Sequence, residues 1–152
     1  MKTVGLKRKF NNKGFSLIEL VIVVAIMAVL IAVLAPQFIR YIEKSKMGKD
    51  TEVAGVVQRA INVAMADPSI DDRPVSFGPA PLANIDTSTM TDFAGAVKEY
   101  IGTNNLSAFN IDNIKSNTYG GQDIIVEINA STELVRVRVY SNNPDVEDIV
   151  IE

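Results

Sequence analysis

From Leu20 to Ala35 every residue is apolar, and across the 21 positions Phe15–Ala35 only Ser16 and Glu19 are polar. A helix of that length, rising 1.5 Å per residue, spans about 30 Å, the thickness of a bilayer's hydrocarbon core. The run therefore predicts a transmembrane helix over residues 15–36. Helical periodicity continues past it. Phe38, Ile39 and Ile42 cluster, and Val53, Val56, Val57, Ala60, Ile61 and Ala64 recur at the three- and four-residue spacing of one apolar stripe. Between them "RYIEKSKMGKDTE" mixes charges of both signs, the pattern of a solvated face. Gly48 and Gly55 weaken the helix locally, and Asp67-Pro68 ends it. One long helix, apolar over its first half and amphipathic over 37–67, is expected.

The remainder, 68–152, predicts a small head. Residues 68–90 hold four of the six prolines with little periodicity and read as an irregular connection. In "TDFAGAVKEYIG" Phe93, Val97, Tyr100 and Ile101 share a helical face, which predicts a helix over about 90–101. Thr89 and Asp92 resemble a capping box, and Gly102 supplies the stop. The period then changes to two. In "QDIIVEIN" Ile124, Val126 and Ile128 fall on one face, and Val135, Val137 and Val139 alternate with Arg136, Arg138 and Tyr140. Antiparallel strands over about 122–129, 133–140 and 148–152 follow, with "ASTE" as a hairpin loop. The fold class is α+β: a long N-terminal helix laid with its 53–64 stripe on a small antiparallel sheet that has one wet face.

Composition narrows the chemistry. There is no cysteine and no histidine, so disulfides, thiolate metal sites and the commonest general base are all excluded. The net charge of −3 is unevenly spread: residues 1–14 carry Lys2, Lys7, Arg8, Lys9 and Lys13 with no acid, leaving −8 for the rest. An acidic body argues against nucleic acid as a partner, since phosphate contacts need clustered Lys and Arg. The basic head before an apolar run points to targeting, with the N-terminus in the cytoplasm.

Three readings of residues 1–36 compete. A secretory signal peptide would need cleavage beside Pro36, where the fixed φ disfavours an extended protease-bound chain, and its apolar core would be unusually long. A plain signal anchor fits the length but leaves Glu19 without purpose, because an acid inside a spanning helix costs about 2.5–3.5 kcal/mol at the centre and less near the interface. The third reading accounts for the acid. The stretch "KGFSLIEL", with its basic leader and following apolar run, resembles the class III signal of type IV pilins and their relatives, and the resemblance extends through Pro36.

That resemblance implies a pilin-like fold and a defined processing route. Prepilin peptidase would remove leader residues 1–14 between Gly14 and Phe15, and the new Phe15 amine would be N-methylated. Phe15 and Glu19 would then serve assembly, Glu19 attracting the Phe15 amine of a neighbouring subunit in a helical homo-oligomeric filament. The other implied partners are the membrane before assembly, an assembly platform protein and a cytoplasmic ATPase. The electrostatic logic is registry: a charge in an apolar setting tolerates only the stagger that brings its counter-charge. Pro36 removes the hydrogen bond to the Ala32 carbonyl and is expected to kink or open the helix. The family commonly carries a loosening Gly about eight positions earlier; Ala28 stands there in this chain.

Candidate chemistry elsewhere is sparse. The loop "SNNPDVED" gathers Asn142, Asn143, Asp145, Glu147 and Asp148, oxygen donors of the kind Ca²⁺ takes, with Asp145, Glu147 and Asp148 as weak calcium candidates. Their spacing follows no defined ligand pattern, and turn residues in a turn account for them equally well. Arg136 and Arg138 are outward cations, and Gly120-Gly121 is a turn without phosphate-loop context. With no nucleophile–base pair in view, the expected role is structural, not enzymatic, with no cofactor. The expectation is a type IV pilus subunit for adhesion, aggregation or twitching motility, found in the cytoplasmic membrane as precursor and outside the cell as filament. A pseudopilin of a secretion or DNA-uptake system is the alternative, followed by a monomeric membrane-anchored binding module.

Overall fold

The computed structural model describes residues 14–86 and 89–152, so the five cations of residues 1–13 lie outside the described residues. The chain divides into two compact units, Met1–Ile39 and Arg40–Glu152. Helix α1, Leu17–Ala66, runs for 50 residues with Pro36 inside it. It stops where Asp67-Pro68 predicts. There the Asp67 carboxylate accepts hydrogen bonds from the Ser69 backbone N–H (2.9 Å) and hydroxyl (2.6 Å), which hold its pKa below the ordinary value.

In the second unit β1 (Ser76–Pro81), β2 (Ile124–Asn129), β3 (Leu134–Val139) and β4 (Ile149–Ile151) form an antiparallel meander in that order. Three short helices, α2 (Ala83–Asp86), α3 (Thr91–Ile101) and α4 (Leu106–Asn113), connect β1 to β2. The period-two strands behave as the pattern requires: Ile124, Val126 and Ile128 pair in register with Val139, Val137 and Val135, and all six are buried. They share one core with Val57, Ile61 and Ala64 of α1 and with Phe93, Val97, Leu82, Ile85 and Leu106.

Four local expectations are corrected. Residues 68–90 are not wholly irregular, because β1 lies among their prolines as the edge partner of β2. Pro79 and Pro81 are tolerated on an edge strand, where a missing N–H removes no ladder bond. The pairing register shifts between Phe77 and Ala80, and Gly78 (φ +80°) passes so close to β2 that a Cβ there would stand 2.1 Å from the Val126 carbonyl oxygen. Second, α3 has Met90 at its N-cap with no side-chain cap bond there; the Thr89–Asp92 box does not form. Asp72 caps it from a distance, accepting from the Asp92 and Phe93 N–H groups at 2.8 Å each. Gly102, in the left-handed conformation, closes the other end with Thr103 N–H reaching the Lys98 carbonyl.

Third, the apolar stripe of α1 is rotated. Ala54, Val57, Ile61 and Ala64 are buried while Val53 and Val56 are only half-buried, and the same face begins at Asp50. Fourth, "RYIEKSKMGKDTE" is not simply a solvated face. Asp50 is fully buried, its two oxygens accepting from the Lys115 (2.9 Å) and Ser116 (3.0 Å) N–H groups, and Glu43 accepts from the Thr118 N–H (3.0 Å) and hydroxyl (3.2 Å). Two carboxylates on one face of α1 thus pin the segment that leads into the sheet.

Loss of the long-range cap is a direct test of the α3 assignment. Asp72→Ala leaves two helix N–H groups without their acceptor and is expected to cost about 1–2 kcal/mol. Thermal unfolding of the full chain in detergent should show a Tm lower by roughly 3–6 °C. Asp72→Asn, which keeps one acceptor oxygen, should recover part of that loss.

Candidate assembly helix

Within the first unit, the apolar part of α1 is covered by none of the described residues. Phe15 is 93% exposed, Leu17 81%, and every large aliphatic side chain from Ile18 to Leu34 is also exposed. Such a continuous apolar surface marks a lipid or protein contact, and α1 contains a stretch long and apolar enough to cross a bilayer. Gly14 and Phe15 precede the helix, and Pro36 sits within it without ending it.

Glu19 lies in the first turn of α1, where the positive end of the helix dipole favours an acid. Its Oε2 accepts a hydrogen bond from the Ser16 backbone N–H at 2.8 Å. Ser16 is the residue just before the helix and Glu19 its third residue, so this is the carboxylate half of an S-x-x-E capping box. The spacing is legible in "SLIE", but the expectation above assigned the acid only an intermolecular role. Within one subunit Glu19 already has a partner; any intersubunit pairing adds to, or exchanges with, that bond.

The remaining candidates lie in the second unit. Asp145, Glu147 and Asp148 occupy the β3–β4 loop, which is folded on itself. Asp148 accepts from the Ser141 N–H (2.9 Å), and Asn143 accepts from the Asp145 N–H (3.0 Å). The Glu147 backbone carbonyl accepts from the Tyr119 hydroxyl (2.8 Å), a phenol whose pKa is raised by burial and by the charges of Asp148, Asp50 and Glu147. Among the described residues no three acidic side chains converge as a metal-binding group. On the outer face of the sheet Arg136 bridges Glu127 (3.2 Å) and Glu152 (2.6 Å), and Arg138 stacks 5.8 Å from the Tyr140 ring centroid.

Comparison with known proteins agrees with the geometry of the helix. Residues 9–35 match the prokaryotic N-terminal methylation motif. The type IV major fimbrial protein FimA of Dichelobacter nodosus is 42% identical over 59 residues, 39% of this chain and 38% of its own length. Prepilin peptidase-dependent protein A of Clostridium perfringens is 30% identical over 96 residues, 62% of this chain and 69% of the relative.

The chain belongs to the type IV pilin family.

This pilin spans under two-fifths of the fimbrial relatives' length in those matches. No solved structure matches it. The α+β fold, a long helix on a four-stranded antiparallel sheet, is that of a pilin.

Proposed function

We propose that this pilin is a structural subunit of a surface filament. In this reading, leader residues 1–14 are removed by prepilin peptidase between Gly14 and Phe15, and the Phe15 amine is methylated. Residues 15–36 hold the subunit in the membrane until polymerisation transfers them to a bundle of like helices; residues 37–67 carry the head, 68–152. The observation that supports it best is the exposed apolar helix with a single acid one turn from the cleavage point. Lipid tails are as apolar as the helices, so assembly gains little from hydrophobicity alone. Packing and the pairing of Glu19 with a neighbour's Phe15 amine would supply specificity, while an assembly ATPase and platform protein would supply work.

N-terminal mass analysis of the protein from its native cell tests the processing step. The expected mature chain starts at a methylated Phe15, and a chain starting at Met1 or near Pro36 overturns it. Electron microscopy then tests the filament. Long surface fibres lost on deletion are the expected result; mature protein without long fibres assigns the chain to a short pseudopilin assembly or to a monomeric anchored module.

A further inference from the structure

The charge of the mature chain changes sign abruptly just past the apolar run. Residues 40–49 hold Arg40, Lys44, Lys46 and Lys49 against Glu43 alone, a net +3, whereas residues 50–152 hold sixteen acids and six basic residues, a net −10. Glu43 turns toward the head, accepting from Thr118. Arg40, Lys44 and Lys49 are exposed and Lys46 half-buried, and among the described residues none of the four is in an ion pair. Four cations gathered in ten residues, ahead of a strongly acidic remainder, make a local positive patch open to an anionic partner.

We infer that this collar binds the anionic phosphates of lipid headgroups at the outer face of the bilayer while the subunit waits in the membrane. The inference rests on the membrane-held stage proposed above. Arg40 and Lys44 follow Ala35, the last residue of the apolar run, by only five and nine residues along the chain. A basic segment that near a membrane span is attracted to anionic headgroups within a Debye length of about 8 Å. The Cα–Cβ bonds of a helix tilt toward its N-terminus, and the long apolar stems of Lys and Arg let their charged heads reach along an interface. Tyr41, 73% exposed beside Arg40, has the amphipathic ring that favours the same interface.

Geometry favours lipid over a second copy's acidic head. By helical phase Arg40 and Lys44 lie on one flank of the face that carries Asp50 and Ala54, and Lys46 and Lys49 on the other. A bilayer surrounds a spanning helix and meets both flanks of a lone subunit at once, whereas a filament meets both only when several copies are in place. The collar would be a holding contact, released when the subunit leaves the membrane for the filament.

The test uses the full chain reconstituted in vesicles of equal phosphatidylcholine and phosphatidylglycerol. Lipids retained after detergent extraction are read by native mass spectrometry. With about 1 kcal/mol per basic residue near an anionic surface, and only the nearer two fully in range, phosphatidylglycerol should be enriched about thirtyfold. The preference should collapse at 1 M salt, where the Debye length is about 3 Å. A variant combining R40Q, K44Q, K46Q and K49Q should lose the preference while keeping its helical content and its resistance to alkaline extraction. Equal retention of the two lipids by an inserted wild-type chain overturns the inference. So does a variant that keeps the preference, or one that loses only filament formation, which would assign the collar to a second copy. Failure of the wild-type chain to insert at all would instead sink the membrane-held stage.

Discussion

Replacing Asp50 by alanine is expected to destabilise the head by about 3–5 kcal/mol, the largest single effect outside the apolar core. The magnitude follows from what the side chain leaves behind. Asp50 is 0% exposed, and its two oxygens are the acceptors for the Lys115 and Ser116 N–H groups. A buried donor stripped of its acceptor costs about 1–3 kcal/mol, more when the lost bond is to a charged group. Alanine strips two. The damage should also travel. Ser116 orients the next turn through its hydroxyl, which accepts from the Tyr119 N–H (3.1 Å), and its carbonyl, which accepts from the Gly120 N–H (2.8 Å). Tyr119 in turn holds the β3–β4 loop through the Glu147 carbonyl. Guanidinium unfolding of the full chain in detergent measures the energy, and hydrogen exchange at residues 115–120 measures its spread. Asp50→Asn should lose about half as much, since an amide keeps one acceptor oxygen but sets its NH₂ against the other N–H. The exposed neighbour Glu52→Ala should stay within about 0.5 kcal/mol of wild type. An Asp50→Ala chain as stable as Glu52→Ala would show that the 115–118 segment holds its place without α1.

The importance of Asp50 could not be read from its surroundings, and the reason is physical. Its partners are backbone N–H groups 65 and 66 residues away, and a backbone donor leaves no mark in a sequence. The same holds for Asp72, which caps α3 from 20 residues upstream, and for Asp86, which pairs with Lys98 and accepts from the Leu106 N–H at the start of α4. What periodicity encodes was legible. Alternation in 124–128 and 135–139 gave both strands and their buried faces, because a register slip would expose Ile124, Val126, Ile128, Val135, Val137 and Val139 at once. The α1 stripe was legible in position but rotated, since small Ala54 and Gly55 bring that side of the helix inward ahead of the larger Val53 and Val56. β1 was hidden because its sequence, SFGPAP, has no alternation and two prolines; only its place at the sheet edge makes it a strand. Of α1, the apolar run, its acid and the basic residues before it were all local features, and they carried the family.

The second large effect is expected at Glu19, and there the choice of substituent separates two roles for one carboxylate. The structure gives Glu19 a local duty: its Oε2 accepts from the Ser16 N–H and closes the first turn of α1. Glutamine performs that duty nearly as well, since the capping box accepts either residue. Alanine does not, and Glu19→Ala should fray the first turn at a cost of about 1 kcal/mol. What glutamine cannot do is offer a negative charge to a neighbour's Phe15 amine in a medium with little water to screen it. Both variants should enter the membrane as well as wild type or better, because removing a charge from an apolar helix eases insertion. If the charge sets the stagger between subunits, both should also form at least tenfold fewer filaments, Gln no better than Ala, by electron microscopy and by sedimentation of sheared fibres. If capping is the whole of its function, Gln should assemble like wild type and only Ala should fall short. A pilus made at normal yield from Glu19→Gln subunits would therefore leave Glu19 as a helix cap and remove the charge pairing from the account of assembly.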